Sequence, residues 1–222
     1  RARISRHDSA ERFRGLGVDV FLGEATFRDS NSVSVGETIL PFKKAVIATG
    51  GRASAPAIPG LKDIAYLTNE TLFSLTELPQ RLAVIGAGPV GCEMAQAFAN
   101  FGSHVFLIEA LHGVLPREDR EAAGLIEKSL VNDGVHVLCC GTQLKVSGAD
   151  GEIRLSVQSH DHSYDQLVDQ ILVSVGRSPN VENLGLDRVG VDYDAREGVR
   201  VDDRMRSTNP NIFAAGDVCS AY

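Results

Sequence analysis

The segment RLAVIGAGPVGCEMAQAFANFG, residues 81–102, decides how this chain folds. It opens with an apolar run typical of a buried strand, passes through three closely spaced glycines, and continues with a helical pattern. Gly102 stands where a glycine commonly ends a helix. The segment therefore predicts a strand, a tight turn and a helix in direct succession.

The three glycines, Gly86, Gly88 and Gly91, have the spacing GxGxxG. Between a strand and a helix, the first makes a tight turn, the second lets the backbone approach a pyrophosphate, and the third lets the helix pack closely. Pro89 and Val90 begin the helix, whose N-terminal N–H groups and dipole favour a negative charge. The pattern predicts a dinucleotide site, although the same spacing also occurs in turns that bind nothing.

An acidic residue supports the dinucleotide interpretation. Glu109 ends the next apolar strand, 18 residues after Gly91, close to the ~20 expected for an acid that binds a ribose hydroxyl. The alternative is a solvated charge at a strand end. Because a carboxylate repels a 2′-phosphate and the next Arg or Lys is Arg117, the pattern favours NAD(H) over NADP(H).

The pattern changes further along the chain. From residue 81 to the VHVLCC segment at 135–140, strands and helices alternate. Beyond that segment, apolar and polar residues alternate around an Asp150–Gly151 turn, which is typical of antiparallel strands. The sequence therefore predicts an α/β fold with a parallel sheet, helices and an antiparallel meander.

The first third of the chain is predicted from weaker patterns. Residues 1–15 have a helical pattern, and residues 18–42 contain short strands separated by turns. Residues 68–79 are predicted to form a short helix that ends at Pro79, where we place the start of a second domain.

Composition excludes some classes of function. The chain has 222 residues and a formal net charge of −7, which argues against a general nucleic-acid or membrane surface. No apolar run approaches the ~18 residues that a membrane-spanning helix requires. The first residue is not Met, and we expect the chain to be an internal piece of a longer protein.

The four cysteines are Cys92, Cys139, Cys140 and Cys219. We expect them to be free thiols in a reducing compartment, with a cytoplasmic location. Cys139 and Cys140 lie in a strand pattern, and neighbouring strand side chains point to opposite faces. No metal or redox site is therefore predicted for this pair.

Four segments in this order resemble a known family. They are VIATGGRASAPAIPG, VIGAGPVGCEMAQAFANFGSHVFLIEA, VSVGRSPN and TNPNIFAAGDV. The chain resembles the flavin-dependent pyridine nucleotide–disulfide oxidoreductases, in the branch of the mercuric reductases and dihydrolipoamide dehydrogenases. The resemblance covers nearly the whole chain.

The resemblance implies an FAD domain that is interrupted by an NAD(P)-binding domain. Residues 1–78 match the later part of the first FAD segment, residues 79–200 the NAD(P)-binding domain, and residues 201–222 the start of the returning FAD segment. In this family a further domain forms a homodimer, so the resemblance implies a dimer through a domain that is absent here.

The resemblance also implies roles near the nicotinamide. Gly176 and Arg177 match a turn beside the nicotinamide half of the site, and Glu93 matches a helix acid that points toward the contact between flavin and nicotinamide. The alternatives are a plain turn and a surface glutamate. Glu93 is thus predicted as a supporting catalytic acid of the complete enzyme.

Three further residues match FAD contacts of the family. Thr49 and Gly50 match a turn near the FAD adenosine, and Asp217 matches the acid that accepts a hydrogen bond from a ribitol hydroxyl. An ordinary strand-end turn and a solvated aspartate are the alternatives.

The implied activity is hydride transfer from NAD(P)H to FAD, and onward to a disulfide or a metal-ion acceptor. The family's redox pair CxxxxC and a second GxGxxG do not occur in this sequence. We therefore expect this chain alone to bind NAD(H) and to be inactive. The alternatives are a non-catalytic NAD(H)-binding sensor or partner module, and a relative of NADH oxidases or transhydrogenases.

Overall fold

The computed structural model describes residues 9–54, 56–149 and 152–219. The chain forms two compact units. The central unit is Arg52–Arg177, and the flanking unit contains the described residues up to Gly51 and from Ser178 onward. One unit is therefore inserted into the sequence of the other, as an interrupted domain requires.

The bounds of the units differ from those predicted for the domains. Residues 52–78 belong to the compact central unit, whereas residues 178–200 belong to the flanking unit. The assignment of residues 1–78, 79–200 and 201–222 to FAD or NAD(P) binding rests on cofactor contacts rather than on compactness, and it stays a prediction.

The regular elements are mostly short strands. The α-helices are α1 Ala10–Gly15, α2 Pro89–Phe101 and α3 Arg120–Asn132. The strands of the flanking unit and its borders are β1 Ala25–Asp29, β2 Ser32–Val35, β3 Thr38–Pro41, β4 Ala45–Ile47, β5 Gly51–Ala53, β13 Arg177–Pro179, β14 Tyr193–Asp194, β15 Gly198–Val199 and β16 Ile212–Ala214. The strands of the central unit are β6 Arg81–Ile85, β7 His104–Ile108, β8 His136–Leu138, β9 Gly141–Ala149, β10 Glu152–Ser159, β11 His162–Val168 and β12 Gln170–Val173.

A parallel sheet forms the middle of the central unit. Its strand order is β12-β6-β7-β8, and each neighbouring pair is parallel. In β6, Leu82 and Val84 belong to one buried core, and Ala83 and Ile85 belong to another. Because side chains alternate along a strand, these two cores lie on opposite faces of the sheet. Coverage on both faces explains why the strands are apolar at almost every position.

Different elements cover the two faces. Ala95 of α2 and Leu130 of α3 pack in the core that contains Leu82. Leu155 and Val157 of the β9–β11 sheet pack in the core that contains Ala83. The three strands β11-β10-β9 are antiparallel. The α/β fold with a parallel sheet and an antiparallel meander is therefore confirmed.

The predicted turn at Asp150–Gly151 lies outside the described residues. The strands on its two sides pair with each other, and Ala149 lies opposite Glu152. The register of β9 and β10 is therefore the one that a turn at this position requires.

The flanking unit has its own core. The strands β1, β2 and β3 form an antiparallel sheet, and β4 pairs with β16 in parallel. Phe27, Ile47 and Ile212 are buried together in this core. The parallel pairing brings the ends of β4 and β16 to one edge, which matters for the residues that follow them.

Two local predictions are wrong and one is partly testable. Residues 68–79 form only a 3-10 turn, Leu72–Ser74. Thr68 and Thr71 explain this, because the Thr71 hydroxyl accepts from Thr68 N–H and the Thr68 hydroxyl accepts from Glu70 N–H. Such bonds compete with a helix. The first strand begins at residue 25 rather than 18, and the predicted helix at 1–15 is described only from residue 10 onward.

In the part of the chain that the structure describes, none of the helices has the length and apolar character needed to span a membrane.

Candidate functional site

The first glycine of the GxGxxG pattern closes a turn that has no room for a side chain. Gly86 has a φ of 100°, and a Cβ there would lie 2.7 Å from the carbonyl oxygen of Ser174. Its N–H donates to the carbonyl of Ile108 at 2.8 Å. The turn is thus held between the ends of three adjacent strands of the parallel sheet.

The third glycine allows α2 to pack against this turn. A Cβ on Gly91 would lie 1.9 Å from the carbonyl oxygen of Gly86. The Ser174 hydroxyl lies 2.8 Å from that same oxygen and can donate to it. Gly91 is therefore required by packing within the protein, as its position in the pattern predicts.

The second glycine differs from the other two, because the protein does not crowd it. Gly88 is the N-cap of α2, with φ −71° and ψ −177°, an ordinary backbone for any residue. Nothing lies within 4 Å of a Cβ built there. Pro89 follows as the first helical residue. The bare backbone at Gly88 leaves open space at a helix N-terminus, where a negative charge is favoured.

The carboxylate of Glu109 lies against the glycine turn. Its Oε2 accepts from the N–H of Ala87 at 2.8 Å, and its Oε1 accepts from the N–H of Leu111 at 2.9 Å. Each carboxylate oxygen can accept more than one hydrogen bond. Glu109 is therefore fixed beside the turn and retains capacity to accept hydrogen bonds from a ligand.

A cleft of about 620 Å³ opens beside the turn, entirely within the central unit. The predicted residues that line it are Gly86, Gly88, Pro89, Val90, Glu109, Gly176 and Arg177. A volume of this size lies within the ~300–1,000 Å³ range of ligand pockets. The structure thus brings residues from three separate segments of the sequence to one site.

The turn predicted beside the nicotinamide is Gly176–Arg177, which follows β12 shortly after Ser174. Gly176 has a φ of 139°, and its carbonyl accepts from the N–H of Ser54 at 3.0 Å. Glu93 is exposed on α2 and is not among the residues that line the cleft. Its supporting role and its surface alternative both remain predictions.

A family comparison decides the identity. The model for "Pyridine nucleotide-disulphide oxidoreductase" matches residues 6–222. The chain belongs to the pyridine nucleotide-disulphide oxidoreductase family. The resemblance inferred from the four sequence segments is therefore confirmed.

The relatives fall in the branch that the sequence indicated. A mercuric reductase of Acidithiobacillus ferrooxidans is 39% identical over 205 residues, covering 90% of this chain and 37% of that protein. A dihydrolipoyl dehydrogenase of Bacillus subtilis (strain 168) is 34% identical, covering 92% of this chain and 44% of that protein. This chain spans half or less of the curated relatives it matches.

Solved structures show the same fold. The HOCl-induced flavoprotein disulfide reductase RclA of Escherichia coli superposes with a TM-score of 0.86 at 31% identity. The match covers 100% of this chain and 51% of RclA. The family is therefore one of oxidoreductases that use a pyridine nucleotide, and RclA is a flavoprotein.

Residues matched to FAD contacts in this family lie together in the flanking unit. Ile47 of β4 lies opposite Ala214 of β16 in the parallel register, so Thr49 and Asp217 follow the same edge. The Thr49 hydroxyl donates to the carbonyl of Asn180 at 2.7 Å, and the Asn180 amide donates to Thr49 O at 2.9 Å.

Beside them, Gly50 has a φ of 69° and nothing within 4 Å of a built Cβ. Asp217 is exposed. An exposed carboxylate can accept hydrogen bonds from the hydroxyls of a ligand, and the FAD roles of these residues stay predictions.

Sequence reasoning missed residues that hold the glycine turn and the cleft together. The Ser174 hydroxyl lies within hydrogen-bond distance of the carbonyls of Ile85 and Gly86. Leu115 donates its N–H to the carbonyl of Ala87 at 2.8 Å. A polar residue at the end of the apolar run ILV was a signal for Ser174. Backbone donors such as Leu115 leave no signal in side-chain identity.

The strand predicted to contain Cys139 and Cys140 ends before them, so the prediction that their side chains point to opposite faces is wrong. The strand ends at Leu138, and Cys140 has a φ of 53°. Side chains therefore do not alternate here. The two sulfur atoms and a ring nitrogen of His112 lie within 4.8 Å of one another.

Proposed function

We propose that the central unit binds NAD(H) in the cleft beside α2. The open space at Gly88 carries this proposal, because two glycines of the pattern are explained by packing and the second is not. A pyrophosphate at the N-terminus of α2 explains why that position is bare. Pro89 and Val90 line the same space.

The adenosine ribose is proposed to bind at Glu109. The carboxylate already lies beside the turn, and both ribose hydroxyls can donate to it. A 2′-phosphate carries about 1.5 to 2 negative charges at neutral pH. At ~4 Å, each unit of repulsion is worth about 1 kcal/mol in water and about 4 kcal/mol at an effective dielectric near 20. NADH is therefore expected to bind about tenfold tighter than NADPH, or more, since about 1.4 kcal/mol is tenfold.

One residue of the cleft opposes this preference. Arg117 lines the cleft together with Glu109, and an arginine can receive a 2′-phosphate. We propose that Glu109 outweighs it, because its carboxylate is fixed by two backbone N–H groups. Glu109 is expected to weaken NADPH binding and Arg117 to strengthen it. One series of titrations on variants of the two residues can separate these effects.

The nicotinamide half is proposed to extend toward Gly176 and Arg177, which also line the cleft. Glu93 is proposed to support hydride transfer in the complete protein, by holding charge near the nicotinamide. Its exposed position on α2 leaves it available to a group outside the described central unit.

For the complete protein we propose the activity of a flavoprotein oxidoreductase resembling mercuric reductase. Bound FAD would supply the redox chemistry between NAD(P)H, the hydride donor, and a disulfide or metal-ion acceptor. In this chain Thr49 and Gly50 would lie near its adenosine, and Asp217 would accept a hydrogen bond from its ribitol. We propose that this chain alone binds NAD(H) and does not complete electron transfer.

The test is calorimetric titration of NADH and NADPH at low salt and mildly alkaline pH. The unsubstituted chain, called the parent below, is expected to bind NADH about tenfold or more tightly than NADPH. Glu109→Gln is expected to reduce this preference, because it removes the negative charge. Arg117→Ala removes the opposing positive charge and serves as the matched control. It is expected to weaken NADPH binding more than NADH binding.

Two outcomes contradict the proposal. If the parent binds neither nucleotide, the cleft is not a dinucleotide site in this chain. If Glu109→Gln leaves the ratio of NADH to NADPH affinity unchanged, the carboxylate does not face the ribose. A separate assay of NADH-dependent reduction of a dye acceptor tests the proposed inactivity. No reduction by this chain is expected.

A further inference from the structure

Three side chains that bind soft metals converge outside the glycine turn. They are His112, in the loop after β7, and Cys139 and Cys140, which follow β8. Their ligating atoms all lie within 4.8 Å of one another, and the His112 Nδ1 is 3.5 Å from the Cys140 Sγ. His112 is exposed and both cysteines are partly buried, so solvent reaches the cluster.

The backbone holds this arrangement in place. Cys140 has a left-handed φ of 53°, a conformation that a residue with a Cβ adopts only when its surroundings require it. The Cys140 N–H donates to Leu111 O at 3.0 Å, and the Ser159 hydroxyl donates to Cys139 O at 2.6 Å. The left-handed turn brings both sulfurs to one side, and the bond to Leu111 ties them to the loop that carries His112.

We propose that His112, Cys139 and Cys140 bind a thiophilic d10 cation, with Zn²⁺ as the reference ion and one coordination position open to solvent. In a tetrahedral site with Zn–S of about 2.3 Å and Zn–N of about 2.1 Å, an N···S edge is about 3.6 Å and an S···S edge about 3.8 Å. The observed N···S distance of 3.5 Å matches the first edge. The remaining distances between ligating atoms are at most 4.8 Å. They would therefore have to shorten by no more than about 1 Å to reach the edges of such a site.

The chemistry of the donor set selects this class of ion. Two thiolates and one imidazole suit soft or borderline cations, whereas magnesium and calcium take oxygen ligands. Each thiol transfers its proton to solvent as its sulfur binds the cation. Desolvation, followed by the neighbouring Cys139 sulfur, raises the pKa of the Cys140 thiol. A bound cation offsets the repulsion between the two negative sulfurs.

The experiment is a titration of the reduced, metal-free protein with Zn²⁺, followed by calorimetry, with Cd²⁺ as a spectroscopic probe. One Zn²⁺ per chain is expected, together with a Cd²⁺–thiolate charge-transfer band in the ultraviolet. Loss of outer-shell partners alone costs about 10–100-fold in metal affinity. Cys139→Ser, Cys140→Ser and His112→Ala are therefore each expected to weaken Zn²⁺ binding by about 100-fold or more.

Matched controls use a cysteine and a histidine outside the cluster. Cys219→Ser keeps a side chain that can donate to Gly216 O, and His162→Ala alters an exposed histidine of β11. Both are expected to bind Zn²⁺ as the parent does. Circular dichroism and thermal unfolding report the fold of each variant. His112 is exposed, so His112→Ala is expected to fold. This variant decides the test if a serine variant does not fold.

Three results would overturn the proposal. The first is failure of the reduced parent to bind Zn²⁺. The second is a Zn²⁺ affinity that is unchanged both in His112→Ala and in one of the single variants Cys139→Ser or Cys140→Ser. The third is an equal loss in Cys219→Ser or His162→Ala. If the reduced protein does not bind Zn²⁺, and oxidation removes the free thiols of Cys139 and Cys140 together, the pair would be identified as a disulfide instead.

Discussion

Adding one methyl group at Gly88 separates nucleotide binding from folding. In Gly88→Ala the new Cβ has no neighbour within 4 Å, and the backbone angles suit alanine. The cost to folding is limited to the poorer N-cap, about 1 kcal/mol or less. The methyl group would nevertheless occupy the space proposed for the pyrophosphate, so we expect a folded protein with weakened NADH binding.

The size of the binding loss follows from the bonds that the methyl group displaces. Hydrogen bonds to a charged group contribute about 1.5–3 kcal/mol each. Loss of one such bond between the start of α2 and the pyrophosphate weakens affinity about 10- to 140-fold, since about 1.4 kcal/mol is tenfold. Loss of a second bond would increase the effect further.

The same substitution at two other glycines provides matched controls. In Gly91→Ala the Cβ would meet the Gly86 carbonyl oxygen at 1.9 Å, and overpacking of this kind costs about 1–3 kcal/mol or more. Gly124 lies within α3 with nothing within 4 Å of a built Cβ. Gly124→Ala should stabilise the protein by about 1 kcal/mol through helix propensity and leave NADH affinity unchanged.

The assay combines NADH calorimetry with chemical denaturation of the parent and the three variants. The expected pattern is weak binding with near-normal stability for Gly88→Ala, low stability for Gly91→Ala, and normal binding with raised stability for Gly124→Ala. Full NADH affinity in a well-folded Gly88→Ala protein would refute the placement of the pyrophosphate. Normal stability in Gly91→Ala would refute the packing role of that glycine.

Further predictions concern stability, thiol reactivity and flavin content. The hydrogen bond from the Arg81 side chain, opposed by desolvation, lowers the pKa of Asp169. The resulting stability is present above the ordinary pKa of 3.8 and is lost as pH falls through the lower, folded value, so acid denaturation of Asp169→Asn should show a weaker dependence on pH in that range. Burial raises the pKa of Cys92 to about 11, so mass spectrometry after iodoacetamide treatment of the native protein should find Cys139 or Cys140 labelled long before Cys92. Because GxGxxG occurs once in the sequence, this chain should purify without a visible flavin absorption band, and a stoichiometric band that survives gel filtration would contradict this.

Features that depend on local sterics were predictable from the sequence. Gly86 and Gly91 are fixed by close approach of neighbouring backbone, and their spacing carries that requirement wherever a strand, a turn and a helix follow one another. The position of Glu109 followed from the length of one helix and one strand. Its bond to the N–H of Ala87 did not, because the direction of a side chain depends on the final packing.

Features that depend on distant contacts were not predictable. Alternation along a strand separates adjacent side chains, but a single left-handed residue at Cys140 cancels that rule. The bonds that hold this residue and its neighbour come from Leu111 and Ser159, in two other segments. A local pattern carries no information about them. Residues 68–79 differ, because the bonds that Thr68 and Thr71 make there are local, and the helical pattern was given more weight than these competing side chains.

Leu111 connects the two proposed sites through its backbone. Its N–H donates to the carboxylate of Glu109, and its carbonyl accepts from the N–H of Cys140. One peptide segment therefore lies between the residue proposed to hold the ribose and the residue proposed to hold the cation. Coupling between two binding equilibria is reciprocal, so any factor by which Zn²⁺ changes NADH affinity must equal the factor by which NADH changes Zn²⁺ affinity. A factor different from one would show that the two sites are linked, and a factor of one would show that they bind their ligands independently.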